Sequence, residues 1–158
     1  MRRFLKATHE IGAIGMMGSL AACVVLATSA TPDAPAQFAA VRHAVVLVHK
    51  FLYVPSLALA LISGLIAIAL TAAYRDAGWA WLKALTGISM FEGSLLTVVG
   101  PAKRAAVLAA EAAAGGGDPA ALERALHTEW SGMWVMLAIA TANVVLGVWR
   151  PRFMKHRD

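Results

Sequence analysis

The stretch Phe51–Ala73, FLYVPSLALALISGLIAIALTAA, contains no charged residue and decides the fold. A helix needs ~20 apolar residues to cross a hydrocarbon layer about 30 Å thick, and this stretch has that length. Together with three further runs of similar length, it makes up just over half of the chain. They are Ile11–Ala30, Ala84–Ala102, which only Glu92 interrupts, and Trp130–Trp149. The sequence therefore predicts an integral membrane protein with four transmembrane helices.

The composition agrees with this prediction. Hydrophobic residues make up 59% of the 158 residues, whereas soluble domains contain about 45–50%. The net charge of +5 is explained by the membrane topology described below, so we expect no nucleic-acid partner. The single cysteine, Cys23, excludes an internal disulfide and a metal site built from several thiolates. We expect one domain, residues 1–158, surrounded by a lipid bilayer.

Turn residues set the predicted boundaries of an all-α four-helix bundle. The short turn Arg75–Gly78 separates helices two and three, and Pro55 is expected to kink helix two. Gly115–Gly117 ends helix three, and Asp118-Pro119 starts helix four with Asp as N-cap and Pro in the first helical position. The predicted helices cover about 4–30, 40–74, 79–114 and 119–150. Helices three and four extend beyond their apolar runs and form an external helical hairpin.

The distribution of cations predicts the orientation. With a cytoplasmic N-terminus, eight cations lie on the cytoplasmic side and five on the other, as the positive-inside rule requires. The eight are Arg2, Arg3, Lys6, Arg75, Arg150, Arg152, Lys155 and Arg157, and the five are Arg42, Lys50, Lys103, Arg104 and Arg124. We therefore expect both termini in the cytoplasm. The first apolar run is longer than the ~7–15 residues of a signal peptide, so we expect it to be retained.

Ionisable residues at membrane depth are candidate functional residues, because charge is costly there. His9 lies one to two turns into helix one, and Lys83 lies about one turn into helix three, both counted from the cytoplasmic face. Two interpretations are open. Either the imidazole binds haem iron or another metal while the ammonium pairs with a carboxylate or propionate, or both side chains extend to the lipid headgroups.

Helices two and three each have a face of small and polar side chains. On helix two these are His49, Tyr53, Ser56, Ala60, Ser63, Ala67 and Thr71, and on helix three Lys83, Thr86, Met90, Ser94 and Thr97. Such faces suit either close helix packing or a ligand cleft. Glu92 lies on the opposite side of helix three from Lys83, and its carboxylate cannot face lipid at low cost. We expect Glu92 to be protonated, hydrogen-bonded within the bundle, or part of a proton path.

A second group of ionisable residues lies near the other ends of the helices: His43, His49, His127 and Glu129. Imidazole binds copper and zinc well, so this group is a candidate metal site. However, His43 and His49 are six residues apart, about 240° around a helix. These two side chains cannot readily share a ligand, and we expect His43 to be exposed.

Several short motifs are spread along the chain. They are FLKATH at Phe4–His9, Val54-Pro55-Ser56, Ser63-Gly64-Leu65, GWAWLK at Gly78–Lys83, and VWRP at Val148–Pro151. In these motifs and in its layout the chain resembles a family of predicted four-helix bacterial membrane proteins of unknown function. More distantly, it is similar to the small haem-b-binding membrane protoporphyrinogen oxidases and to the copper-resistance D family.

The resemblance to the oxidases implies roles for two residues. In that family a Lys-x-x-His start of helix one and a Gly-Trp…Lys segment carry an essential His and Lys, which correspond here to His9 and Lys83. This chain lacks the aromatic-Gly pair that the oxidases have further along helix one, and it adds a long hairpin. The resemblance thus implies haem b binding in a bacterial inner membrane more than it implies the oxidase reaction.

The sequence leaves three functions open. The first is a redox bundle that binds haem b or a related tetrapyrrole, with His9 on the iron and Lys83 on a carboxylate. In that bundle His49 and Tyr53 would border the cofactor pocket. The second is a non-catalytic accessory subunit of a larger membrane complex, or a homo-oligomer. The third is copper handling or ion movement through Glu92 and the histidines of the second group. None of the three assigns a catalytic residue.

Overall fold

The computed structural model describes residues 2–149, and every element in that range is helical. The four long helices are helix one, Arg2–Thr28, helix two, Pro35–Leu70, helix three, Gly78–Ala113, and helix four, Pro119–Trp149. A short helical turn, Ala72–Arg75, precedes helix three. All four helices are long and apolar enough to cross a membrane, as predicted. Arg150, the predicted last residue of helix four, lies outside the described residues.

Neighbouring helices are antiparallel. His9, near the start of helix one, contacts Ala60 and Gly64 in the second half of helix two. Lys83, near the start of helix three, lies against Gly147, near the end of helix four. We call the end of the bundle that contains these residues the N-terminal end. The opposite end, where helices three and four are joined, is the hairpin end.

The outer surface of the bundle is apolar. Only 22% to 28% of the residues in the four apolar windows are buried inside the chain. The exposed large side chains include Ile14, Val25, Ile62, Leu85, Leu96 and Val148. Contiguous apolar surface of this extent is rare on proteins dissolved in water, whereas lipid covers it without cost. The pattern is that of a multi-pass membrane protein.

Glycines on helix one allow close contact with helix two. A Cβ placed on Gly12 would lie 2.6 Å from the backbone nitrogen of Ala60 and 2.8 Å from the carbonyl oxygen of Ser56. A Cβ on Gly15 would lie 2.5 Å from the Ser56 hydroxyl. Gly18, one turn further on, has nothing within 4 Å of that position. The small-residue packing of membrane helices is therefore present at two of these three glycines.

Each proline inside a long helix follows a π-helical turn. The turn His49–Tyr53 precedes Pro55, and the turn Leu95–Val99 precedes Pro101. A proline ring has no N–H and collides with the carbonyl four residues earlier in an α-helix. The wider π-helical turn removes that collision. Helix two therefore continues through Pro55 to Leu70.

The second of these prolines also affects the packing of helix four. Pro101 has no N–H to offer to the carbonyl of Thr97. Gly132 of helix four lies directly against this carbonyl, and a Cβ on Gly132 would be only 2.8 Å from the Thr97 carbonyl carbon. Helices three and four therefore touch, backbone to backbone, at this level.

The hairpin end contains three helical segments, because helix two starts earlier than expected. Helix two begins at Pro35, which occupies an early helical position as prolines often do, and not near residue 40. Its first part packs on Gly100–Ala113, which in turn packs on the start of helix four. The buried side chains here are mostly small: Ala102, Ala105, Ala109, Ala121 and Ala125.

The turn between helices three and four has Gly115 and Gly117 at positive φ (84° and 94°). The Asp118 carboxylate accepts hydrogen bonds from the N–H groups of Ala120 and Ala121, as the predicted N-cap does.

The glycine contacts lead to a test with a matched control. In Gly12→Ala the new methyl group meets backbone atoms of helix two that cannot move aside. We expect a loss of roughly 1–3 kcal/mol in stability, seen as a lower unfolding temperature in detergent. Gly18→Ala should leave the temperature unchanged or raise it slightly, because the space there is open. Equal effects of the two substitutions would contradict the described packing of helices one and two.

Candidate functional site

A buried ion pair joins helices two and four near the hairpin end. Nη2 of Arg42 donates to Oε2 of Glu129, and the two side chains are only 2% and 1% exposed. From the sequence, Arg42 is expected among the cations outside the membrane and Glu129 in a group with histidines. The structure instead buries both side chains and pairs them with each other. Since helix two begins at Pro35, Arg42 lies on the helix face that is turned to the interior.

Four more buried polar or thiol side chains are linked to this pair, either directly or through one another. His49 and Tyr53 lie further along helix two with their rings in an edge-to-face contact, 5.7 Å between centroids. Ser94 of helix three lies beside the Tyr53 hydroxyl. The remaining member is Cys23 of helix one, which lies within electrostatic reach of the ion pair. We call the six residues the buried polar cluster: Cys23, Arg42, His49, Tyr53, Ser94 and Glu129, each at most 2% exposed.

The buried polar cluster is incompletely hydrogen-bonded. Within residues 2–149, five of its atoms are buried without a hydrogen-bond partner: Nε of Arg42, Nδ1 and Nε2 of His49, the hydroxyl of Tyr53 and Oε1 of Glu129. An unpartnered buried polar group costs about 1–3 kcal/mol, and folded proteins normally provide water or another partner. The cluster is therefore a place where water or a ligand is needed.

A cleft between helices two and three reaches this cluster at His49. Its volume is about 210 Å³, and we call it the lysine cleft; it is lined by Val46, His49, Lys50, Val54, Leu95, Val99 and Lys103. A buried water needs only ~10–15 Å³ of such volume. The cleft is therefore large enough for several waters or a small ligand group.

His9 lies at the N-terminal end of the bundle and points towards helix two. Its Nδ1 is 2.7 Å from the carbonyl oxygen of Ala60 and 3.5 Å from the Ser63 hydroxyl. A carbonyl oxygen can only accept, so Nδ1 carries the proton and Nε2 keeps its lone pair. The ring also packs against Gly64, where an added Cβ would lie 3.3 Å from it. The structure therefore places His9 between helices, half-buried.

Lys83 is also half-buried at this end. Its Nζ would lie 2.8 Å from a Cβ on Gly147 of helix four, so a side chain at position 147 would displace the ammonium. The Lys83 charge is close enough to act on the His9 imidazole. The structure thus brings these two predicted site residues to the same end and the same depth.

His49 and Tyr53 do not border His9. Along helix two, His49 and the Ala60 carbonyl that binds His9 are eleven residues apart, about 16 Å at 1.5 Å per residue. Between them, Ser56 and Ala60 contact the glycines of helix one. The polar face of helix two therefore divides into a packing surface and part of the buried polar cluster. The four residues predicted to hold one cofactor belong to two separate sites.

Glu92 lies on the outside of the bundle, exposed, with the exposed Ser89 one turn before it. Of the three interpretations of Glu92, a hydrogen bond within the bundle is not found among the described residues. The predicted polar line of helix three faces helix four instead. There Thr86 donates to the side-chain oxygen of Asn143 at 2.8 Å, and the Asn143 amide lies 3.7 Å from the sulfur of Met90.

The histidines and Glu129 of the second group do not assemble into a metal site. His43 and His127 are exposed, and His49 is buried. Glu129 is engaged with Arg42. In the part of the chain that the structure describes, no three His, Cys, Asp or Glu side chains are grouped as metal ligands.

A sequence signal for the missed ion pair exists. From Pro35 onwards, Phe38, Arg42, Val45 and His49 recur at i, i+4, i+7 and i+11, which is one face of a helix, and all four are buried. An arginine in phase with apolar residues indicates a buried cation that needs an anionic partner. The partner, Glu129, is 87 residues away and has no such local signal.

Comparisons of the chain with protein-family models, curated proteins and solved structures find no match. A functional assignment therefore depends on the geometry of the two ends of the bundle.

The buried ion pair predicts a non-additive effect on stability. Arg42→Met leaves the Glu129 carboxylate buried without a partner, and we expect a loss of roughly 3–5 kcal/mol. The double variant Arg42→Met, Glu129→Met removes both charges and should regain most of that loss. Denaturant unfolding in detergent measures both.

The control is Arg124→Met. It breaks an exposed pair with Asp118, whose side chains are 70% and 61% exposed, and should change stability by less than about 1 kcal/mol. Additive losses in the double variant, or a loss at Arg124 as large as at Arg42, would contradict the described burial.

Proposed function

We propose that the chain is a redox membrane protein that binds haem b at the N-terminal end of the bundle, where His9 would bind the iron. The observation that carries this proposal is the contact of His9 Nδ1 with the Ala60 carbonyl. Metal-binding histidines usually donate their second ring N–H to a carbonyl or carboxylate, which orients the ring and makes the ligating nitrogen more basic. The contact between His9 Nδ1 and the Ala60 carbonyl orients the ring in the same way.

The side chains of His9 and Lys83 at the N-terminal end have the chemistry that haem binding needs. Nε2 of His9 is the available nitrogen, and the ammonium of Lys83 supplies a cation for a propionate carboxylate. Bundles commonly hold cofactors through side chains on facing helices, and these two residues come from helices one and three. Bound haem would supply a one-electron couple within the membrane. The chain itself orients the ligand and provides the counter-charge.

The proposed location is the bacterial inner membrane, with both termini in the cytoplasm. The cation count from the sequence, eight on the side of the termini and five on the other side, supports this orientation. In this arrangement His9 and Lys83 face the cytoplasmic half of the bilayer, and the buried polar cluster lies towards the other side.

Absorption spectroscopy tests the haem proposal. Protein purified in mild detergent, or incubated with haem, should show a Soret band that His9→Ala abolishes. Lys83→Gln should weaken haem binding by about tenfold, the effect expected when one charge-assisted contact is lost. His127→Ala is the matched control, because this histidine is exposed at the hairpin end and should leave the spectrum unchanged. Wild-type protein that stays colourless with added haem would refute the proposal.

A second candidate function is that of an accessory subunit, and the position of Glu92 favours it. A carboxyl group on the outer face of a membrane helix is costly in lipid. Ser89, one turn away, is exposed on the same helix. A second membrane-spanning helix placed over Glu92 and Ser89, from another protein or another copy, would provide hydrogen-bond partners for both.

Assembly in mild detergent tests this alternative. We expect wild-type protein to run as a complex or oligomer, and Glu92→Leu to release the monomer, as measured by size-exclusion chromatography with light scattering. Glu123→Leu, at an exposed position in the hairpin, should leave the assembly intact. A monomeric wild-type protein, or an assembly unaffected by Glu92→Leu, would count against it.

A further inference from the structure

His49 is the starting point for a second site, at the hairpin end. Its side chain is 1% exposed, and neither ring nitrogen has a hydrogen-bond partner in the described residues. The same side chain lines the lysine cleft, and its contact with Tyr53 fixes the ring from one side. A buried imidazole with two unused nitrogens requires a polar partner. The cleft is the route by which such a partner reaches it.

The charges around the cleft favour an anion. Lys50 of helix two and Lys103 of helix three both line it, and neither forms an ion pair within residues 2–149. The Lys50 ammonium is held 5.0 Å above the Phe51 ring. Arg42 also acts electrostatically on the His49 imidazole, but its charge is paired with Glu129, so the net positive charge at the cleft comes from the two lysines. Like charges around a cleft with apolar walls attract a ligand of the opposite charge.

The other residues that line the cleft are apolar, and they favour a ligand whose anionic group is attached to an apolar chain. Val46, Val54, Leu95 and Val99 line the cleft and offer no side-chain hydrogen bonds. Leu95 is also 42% exposed on the outer surface, so the cleft adjoins the apolar exterior of the bundle. A carboxylate needs few partners, whereas the hydroxyl groups of a glycerophosphate headgroup would meet apolar walls. The carboxylate is therefore the better fit.

Both walls of the cleft are built from the π-helical turns. His49 and Lys50 belong to the turn before Pro55, and Leu95 and Val99 belong to the turn before Pro101. A π-helical turn holds an extra residue and changes the directions of its side chains relative to an α-helix. Such turns are frequent at functional sites. The coincidence of two of them on opposite walls distinguishes this cleft from a chance gap in packing.

We propose that the lysine cleft binds the carboxylate of a long-chain amphipathic acid, with its head at His49, Lys50 and Lys103 and its chain along Leu95 and the outer surface of the bundle. This site is separate from the haem site. It involves neither His9 nor Lys83, so the two proposals stand or fall independently.

Fluorescent fatty-acid binding tests this proposal. cis-Parinaric acid is titrated into the purified full chain in a non-ionic maltoside detergent, with protein-free micelles subtracted. We expect saturable binding that weakens with added salt. The double variant Lys50→Gln, Lys103→Gln should raise the Kd by roughly tenfold or more, since two charge-assisted contacts are lost. The double variant Lys6→Gln, Arg124→Gln removes two exposed cations elsewhere and should leave the Kd unchanged.

Two competitors identify the chemical group that binds. Oleate should displace the probe, and methyl oleate, which has no charge, should not. Displacement by phosphatidylglycerol at the same or a lower concentration than oleate would overturn the assignment to a carboxylate. His49→Leu should weaken binding while the unfolding temperature stays near that of the wild type. Absence of saturable binding, or equal Kd values for wild type and the Lys50, Lys103 variant, would also overturn the proposal.

Discussion

Hydrocarbon offers no hydrogen-bond partner, and the rest of this structure depends on that constraint. Every backbone N–H and carbonyl in the membrane has to be paired inside the chain, which leaves long helices as the solution for an all-helical sequence. The same constraint explains how the interior prolines are handled. Where Pro55 and Pro101 remove an N–H, the helix widens into a π-helical turn and continues. The close contact of Gly12 and Gly15 with helix two follows from the same lack of competing water.

The residues of the two candidate sites lie towards opposite ends of the bundle. The N-terminal end contains His9 and Lys83, and the hairpin end contains the buried polar cluster. The helix-two surface between them is covered by the glycines of helix one, which lie against Ser56 and Ala60. The two ends are therefore chemically separate, and a ligand at one of them does not require a ligand at the other. This separation is the main change from the sequence-based expectation of a single pocket.

The sequence was informative where the physical signal is local. Four apolar runs predicted four helices, and Gly115–Gly117 followed by Asp118-Pro119 predicted the helical hairpin. The sequence did not reveal which distant residues pair with each other, or which way a side chain points. The Arg42–Glu129 pair joins residues 87 positions apart, and a charge near the end of an apolar run has the same appearance whether it faces solvent or the interior. Glu92 shows the second difficulty, because hydropathy gives its depth but not the side of the helix that meets lipid.

The contact between Gly132 and Thr97 has a consequence for the buried ion pair. Glu129 lies one turn before Gly132 on helix four, so the backbone contact at Gly132 helps to fix the position of that carboxylate relative to helix three. A larger residue at position 132 would push helix four away from the Thr97 carbonyl and carry Glu129 away from Arg42. Pro101, which removes the N–H that would otherwise pair with this carbonyl, thus leaves the carbonyl open to the approach of Gly132. The Arg42–Glu129 ion pair therefore depends on the close contact between the backbones of helices three and four.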